Sequence, residues 1–314
     1  MESEISLTGM SRTAGRGHRV GRARWLKRAA VTVGVLIALA YLGAFALLFL
    51  RQEATVFRAR ETQNTPNAMF KPRPGAEMVS FQLQSGERIT AVFSPALAAD
   101  GHPRPDAKSR PTILFFYGAG EYLAFSFLQR QFEMFRYAGY NILIPDYVGI
   151  GLSGGTASEA GMYATAEAAF DYLAARPDID PAKIFIVGHS LGGGAAIDLA
   201  TKRQAAGLVT FGTFTSLDDM ARERYWMFPT SLAVRIHLDN RAKIGQVKCP
   251  ALIFHGTRDD TIPYRMAEEL ERASAGKAKT VLIEGGSHEF SYVQPGGVAM
   301  RALSDFTGLK VFDK

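Results

Sequence analysis

Ser190 is the residue around which chemistry can be assembled. It lies in Gly188-His189-Ser190-Leu191-Gly192. The apolar run Ile184 to Val187 in front of it reads as a short buried strand, and Gly193, Gly194, Ala195 and Ala196 behind it lead into a helix-like segment. A serine in G-x-S-x-G at such a strand-to-helix turn is pushed above a sheet, and the glycines avoid clashes that larger residues would make in so tight a turn. The same turn brings the Leu191 N–H to the start of a helix, where it can stabilise an oxyanion. Five residues of this type are a weak signal alone, because Gly and Ser are common in loops. The strand before them and the small-residue helix after them give the pattern its weight.

A serine hydroxyl is a poor nucleophile without a base and an orienting acid. Six histidines are available. His18 falls in a basic N-terminal tail and His102 in a polar loop. His189 is expected to point away from its neighbour Ser190. His237 lies in a mixed segment, and His255, at a strand end before Gly256, suits bracing a turn. His288, in Gly285-Gly-Ser-His-Glu289, follows the last strand and sits at the carboxyl edge of a parallel sheet, where ligands bind. It is the base candidate: a neutral imidazole there can take the Ser190 proton and return it. The acid should come between these two in chain order. His255-Gly-Thr-Arg-Asp-Asp-Thr-Ile-Pro263 offers Asp259, with Asp260 as the alternative; Asp218 and Asp219 follow an earlier strand and are weaker choices. A second oxyanion donor is expected from Gly118-Ala119-Gly120, with Ala119 N–H ahead of Gly120 N–H.

The elements that would position these groups alternate along the chain. Met78–Leu83 and Arg88–Phe93 alternate in polarity around Ser85-Gly86-Glu87 and predict a hairpin. Apolar strands are predicted at Thr112–Phe116, Asn141–Pro145, Ile184–Val187, Leu208–Phe214, Pro250–Phe254 and Lys279–Glu284. Helical stretches are predicted at about Tyr122–Tyr137, Ser158–Ala175 (with Ser158 as N-cap), Leu191–Arg203, Tyr264–Ala273 and after Gly297. This rhythm predicts an α/β fold with a mostly parallel sheet covered on both faces and antiparallel strands at one edge.

Of the 314 residues, 47% are hydrophobic and 21% charged, enough for one large α/β domain plus an apolar extra. The single cysteine, Cys249, excludes an internal disulfide framework and a cysteine metal site. The net charge of +6 is concentrated in residues 1–28, which hold seven Lys/Arg against two Glu. The rest is nearly neutral, so no nucleic-acid partner is expected. Ala29 to Leu50 is uncharged and, as a helix, would span roughly 33 Å, enough for a bilayer core. A cleaved signal peptide is the competing reading, with Ala44-Phe45-Ala46 as a cleavage site. The apolar run continues past it to Leu50, which favours an uncleaved anchor. The positive-inside rule then keeps the N-terminus cytoplasmic and puts the main domain on the other side, periplasmic in a Gram-negative cell. The expected organisation is a basic tail (1–28), an anchor (29–50), a Pro-containing linker with little regular structure (51–77) and a catalytic domain (78–314), in which 216–246 could form a small cap.

Several motifs in fixed order resemble the α/β-hydrolase superfamily over nearly all of 78–314, and within it the membrane-anchored α/β-hydrolase-domain serine hydrolases. They are Asp146-Tyr-Val-Gly-Ile-Gly-Leu-Ser153, Gly188-His-Ser-Leu-Gly192, Phe214-Thr-Ser216 with Cys249-Pro250, His255-Gly-Thr-Arg-Asp259 with Ile262-Pro263, and Gly286-Ser-His288. The resemblance implies an eight-stranded-type sheet, a Ser190–His288–Asp259 triad, and hydrolysis of carboxylic esters or thioesters, often of acyl-lipid type, without metal or organic cofactor. This chain departs from it at Tyr117-Gly118, where many relatives have His-Gly. Nearby Glu121 could disfavour anionic substrates or be a solvated helix N-terminus.

Three functions follow from these residues. The first is a membrane-tethered serine hydrolase acting on a small-molecule acyl ester or lipid outside the cytoplasm, with Tyr225, Trp226, Met227, Phe228, Leu232 and Val234 either capping an acyl pocket or packing the domain. The second is a peptidase or amidase using the same groups. The third is a catalytically silent membrane scaffold, which a broken triad would indicate.

Overall fold

The computed structural model describes residues 14–289 and 297–309 and divides into two units, 1–50 and 51–314. In the first, α1 runs from Ala14 to Leu50, and its stretch Arg24–Leu50 is 27 residues long and apolar enough to cross a membrane.

The second unit is built on one eight-stranded sheet. The short helix α2 (Gln52–Val56) and 3-10 turns at Arg58–Thr62 and Pro66–Ala68 precede the strands. The segment 51–77, expected to be a linker with little regular structure, is thus folded onto this unit. Phe57, Ala59 and Ala68 are buried, and Gln63 Nε2 donates to the Ser153 and Gly155 carbonyls, both at 2.9 Å. The few apolar side chains of this segment lie between polar neighbours and gave no periodic signal of burial.

In chain order follow β1 (Glu77–Gln82), β2 (Arg88–Ser94), β3 (Thr112–Phe116), α3 (Ser126–Ala138), β4 (Asn141–Pro145), α4 (Glu159–Ala174), β5 (Ile184–His189), α5 (Gly192–Lys202), β6 (Gly207–Phe211), α6 (Leu217–Arg224), α7 (Asn240–Ile244), β7 (Ala251–Gly256), α8 (Arg265–Ala273), β8 (Ala278–Ile283) and α9 (Val298–Thr307). The sheet order is β1-β2-β4-β3-β5-β6-β7-β8, with β1/β2 and β2/β4 antiparallel and the rest parallel. β3 to β7 are buried along their whole lengths, which is why they read as unbroken apolar runs rather than alternating ones.

Two boundaries differ from expectation for reasons that bear on the site. α3 begins at Ser126 rather than near Tyr122, because the chain before it is held by other partners. The Leu123 N–H donates to Asp146 Oδ1 at 2.9 Å, and the Leu123 carbonyl accepts from Gln129 Nε2 at 2.5 Å. β6 stops at Phe211 rather than Phe214, because Gly212 takes a left-handed backbone (φ +52) that a strand cannot continue. A Cβ there would lie in ordinary contact with Asp259 Oδ2 at 3.4 Å and His288 Nδ1 at 3.5 Å, so this turn adjoins those two residues.

Candidate active site

The turn after β5 has the geometry that its five residues predicted. Ser190 has φ +52, a left-handed conformation that is unfavourable for a residue with a side chain. Three features hold it there. The Ser190 N–H donates to the Phe211 carbonyl at 2.9 Å, and the Ser190 carbonyl accepts from Thr213 Oγ1 at 2.5 Å. The flanking glycines permit close backbone contact: a Cβ on Gly188 would sit 2.5 Å from the Gly192 oxygen, and one on Gly192 would sit 2.1 Å from the Phe116 oxygen. Any side chain at either position would force the turn open.

The three residues expected to act together are brought together. His288 Nε2 lies 3.1 Å from Ser190 Oγ, and His288 Nδ1 lies 2.8 Å from Asp259 Oδ2. A carboxylate only accepts, so Nδ1 carries the proton and Nε2 is left to accept from the serine. The Asp259 side chain is fully buried while Asp260 is exposed and bonds the Thr261 hydroxyl, so position favours Asp259 of the two. Asp259 is crowded with donors. Oδ1 accepts from the Thr261 and Ile262 N–H groups at 2.9 and 2.8 Å, and His255 Nε2 lies 3.1 Å from Oδ2. Burial opposes its ionisation, but the hydrogen bonds from His255, His288 and Ile262 outweigh burial and hold the carboxyl well below the usual carboxylate range. His255 itself is buried and also bonds the Ile262 carbonyl at 2.9 Å, the bracing role its position suggested. Asp218 and Asp219 lie elsewhere: Asp218 bonds His237, and Asp219 bonds Thr215 and Arg222.

The loop after β3 completes one side of the site. A Cβ on Gly118 would lie 3.3 Å from Ser190 Cβ, so this loop adjoins the serine. Among the described residues, no acceptor is recorded for the Ala119 or Leu191 N–H groups. The Gly118 N–H, by contrast, is taken by Glu121 Oε2 at 2.6 Å. Glu121 is not a solvated helix end. Its side chain is 12% exposed and faces His189 Nδ1 at 3.6 Å, while His189 Nε2 lies 3.2 Å from the His288 carbonyl. His189 therefore holds the backbone of its neighbour His288 through that carbonyl. Burial opposes charge on both partners, yet each other's charge prevails. Contact with His189 lowers the Glu121 pKa, and contact with Glu121 raises that of His189.

The far end of the same loop is latched by Asp146, at the end of β4. It accepts from Tyr117 Oη at 2.9 Å, the Leu123 N–H at 2.9 Å and the Leu152 N–H at 3.0 Å. Burial pushes the Asp146 pKa up to about 6 despite these three donors. Tyr147 Oη bonds the Tyr117 carbonyl at 2.9 Å. Tyr117 therefore keeps a buried polar link beneath the loop. Glu121, His189, Asp146 and Tyr147 were not identified from the sequence as supports of the site. Asp146, a charged residue directly ending an apolar strand, was the one legible signal. A cleft of about 440 Å³ lined by Arg110, Lys183 and Thr307 lies at the opposite edge, where β3 and β5 begin, and is not part of this site.

Comparison with known proteins agrees with this architecture. The Hydrolase_4 family model, described as serine aminopeptidase S33, matches residues 107–235, a range that includes Ser190 and ends before Asp259 and His288. An uncharacterized protein of Mycobacterium tuberculosis is 29% identical over 285 residues, 90% of this chain and 96% of the relative. The α/β-hydrolase domain-containing protein WAV2 of Arabidopsis thaliana is 30% identical over 248 residues, 73% of this chain and 78% of the relative. In fold, a Pyrococcus furiosus esterase superposes with a TM-score of 0.61 at 15% identity, covering 78% of this chain and 96% of the esterase. A puromycin-hydrolyzing peptidase of M. tuberculosis superposes with a TM-score of 0.56 at 18% identity over 77% of this chain, which spans 41% of that larger protein. With the sheet order, the serine turn after β5 and relatives of this similarity together, the chain belongs to the α/β-hydrolase superfamily.

Proposed function

We propose that this protein is a membrane-anchored serine hydrolase that cleaves carboxylic esters or thioesters, acyl lipids among them, through an acyl-enzyme. The observation that carries the reading is the continuous line of hydrogen bonds from Ser190 through His288 to Asp259. In this mechanism His288 Nε2 takes the Ser190 proton as Oγ attacks the substrate carbonyl carbon. The Ala119 and Leu191 N–H groups receive the oxyanion, a contribution of about 3 kcal/mol to the barrier for each donor. His288 then passes the proton to the departing alcohol or thiol, leaving the acyl group on Ser190. Water adds to that ester as His288 takes one of its protons, and collapse returns the proton to Ser190 and releases the acid. Asp259 stabilises the transient imidazolium and fixes its tautomer. No step requires a cofactor.

The helix ending at Leu50 supports single-pass anchoring through residues 29–50. The basic residues before it support a cytoplasmic N-terminus and an extracytoplasmic catalytic domain. Peptide or amide hydrolysis is the second reading, favoured by the serine aminopeptidase description of the matching family model. Acyl-enzyme chemistry is common to both. A fluorophosphonate probe tests the nucleophile: the chain is labelled and Ser190→Ala is not, whereas continued labelling of Ser190→Ala removes Ser190 from that role. Matched p-nitrophenyl esters of increasing acyl length and aminoacyl p-nitroanilides, given to the detergent-solubilised chain, then separate the two readings. Ester turnover rising with chain length is expected, and turnover of anilides alone would favour the second.

A further inference from the structure

The segment 51–77, expected to be a linker, reaches the loops around Ser190. Its 3-10 turn Arg58–Thr62 and the two residues after it lie against the chain between β4 and α4. That connection, 147–157, contains no helix or strand and has left-handed glycines at 149, 151 and 155 (φ +76, +58 and +82). Such a stretch takes its shape from its partners. On one side β2 supplies them. The Gly154 N–H donates to the Arg88 carbonyl at 2.8 Å, and the Thr90 hydroxyl donates to the Leu152 carbonyl at 3.0 Å. On the other side stand residues 62–64. Thr62 Oγ1 accepts from the Gly151 N–H at 3.3 Å, and the Asn64 N–H donates to the Gly151 carbonyl at 2.8 Å. Asn64 is left-handed (φ +54) in doing so, a conformation that asparagine tolerates better than most residues. Gln63 adds its two bonds to the Ser153 and Gly155 carbonyls.

Both backbone polar groups of Gly151 are thus held by this strap, and Gly151 is the residue packed on Asp146. A Cβ on it would overlap Asp146 Oδ2. The next N–H, that of Leu152, donates to the same oxygen at 3.0 Å. Asp146 Oδ1 accepts from Tyr117 Oη and the Leu123 N–H, the two ends of the loop that carries Ala119. One buried carboxylate therefore ties the turn gripped by the strap to both ends of that loop. The strap also meets the loop directly, since a Cβ on Gly120 would lie 3.8 Å from Arg58 Cβ.

We propose that residues 58–64 are a positioning element of the active site: through Gly151 and Asp146 they fix the 117–123 loop, and with it the Ala119 N–H that receives the oxyanion. The proposal rests on the hydrolase function proposed above. An oxyanion donor is effective when it already points to where charge will develop. Gly118 and Gly120 leave the backbone around Ala119 free to turn, so its aim has to be held from outside the loop. Residues 58–64 act through Asp146 rather than on the reacting atoms.

A double-variant cycle on the detergent-solubilised full chain tests this. Rates are read on whichever p-nitrophenyl ester or anilide the wild type turns over, or as kinact and KI of the fluorophosphonate probe if it turns over neither. Thr62→Val keeps the shape of a half-buried side chain and removes its hydroxyl. It should lower kcat about fivefold and leave KM within about twofold, because a misplaced donor costs rate rather than binding. Thr62→Ser keeps the hydroxyl and should restore kcat. Asp146→Asn should lower kcat about 30-fold, and in that background Thr62→Val should cost less than about twofold more, since both changes release the same loop. If Asp146→Asn does not fold, as judged by circular dichroism, Tyr117→Phe takes its place in the cycle. An unchanged kcat in Thr62→Val, a loss that falls on KM, a loss that Thr62→Ser does not relieve, or losses that multiply in the double variant each overturn the proposal. Fluorophosphonate labelling of the wild type separates the two failures: with labelling, any of those outcomes leaves Ser190 as nucleophile, and without it the hydrolase reading and this proposal both fall.

Discussion

Two histidine–carboxylate pairs flank Ser190, and they differ in what the second ring nitrogen meets. In the His288–Asp259 pair, Nδ1 donates to the carboxylate and Nε2 faces a hydroxyl at 3.1 Å. In the His189–Glu121 pair, Nε2 faces the His288 backbone carbonyl, which can only accept. The proton on His189 Nε2 is thus committed, whereas His288 Nε2 has a free lone pair aimed at Ser190. Similar side chains, both largely withdrawn from solvent, are thus placed for a base in the one case, on the function proposed above, and for a support in the other. The neighbour of one nitrogen decides between them.

Exchange experiments test that contrast. The largest effect is expected for His288→Ala, a loss in kcat of about 10^6-fold, since triad members act as a unit. His189→Ala, if it only supports, should retain most turnover; equal losses in the two variants would erase the distinction. Asp259→Asn should lower kcat by about 10^4-fold while the fold persists, because the amide favours the wrong imidazole tautomer. The matching change in the other pair, Glu121→Gln, keeps an acceptor for the Gly118 N–H but removes the charge. A loss in kcat of about tenfold, or ~1.4 kcal/mol, is expected there with little change in KM.

The same variant has a pH signature. The Glu121 pKa is lowered in the fold, so its contribution to stability is present above its ordinary value of 4.5 and lost as pH falls through the lowered value. The His189 pKa is raised, so its contribution is present below its ordinary value of 6.5 and lost as pH rises through the raised value. The pair should therefore stabilise most between pH 4.5 and 6.5. Urea unfolding across pH should show the difference between wild type and Glu121→Gln greatest in that window; a difference independent of pH would mean that the pair is not ionised. The smallest effect is expected for Tyr117→Phe, which removes one donor to Asp146 while Leu123 and Leu152 remain, at a cost of about 1 kcal/mol in the same assay.

The parts that were legible in the sequence are those with local causes. A strand buried on both faces must be apolar throughout, so β3 to β7 announced themselves and implied the parallel sheet. A tight turn that exposes a serine needs glycine on both sides, so Gly188 and Gly192 located Ser190. Strand ends in chain order then pointed to Asp259 and His288. Less legible was whatever depended on a partner far along the chain. The delayed start of α3 depends on Asp146, and the folding of 51–77 depends on Phe57 finding a buried place. Glu121 sits just after a loop of glycines, a setting in which carboxylates are usually solvated; His189, 68 residues later, makes it an ion-pair partner instead.

By itself, then, the sequence determined the α/β class, the apolar N-terminal helix and the three residues to watch, because each is written in a local pattern of size, polarity or backbone freedom. Tertiary structure alone decided which carboxylate meets which histidine, which N–H groups of the described residues stay without an acceptor, and that Trp226 and Leu232 are exposed while Ala233 is buried. Each of these depends on distances across separate strands and loops, and hydrogen bonds and burial are set by those distances rather than by residue order.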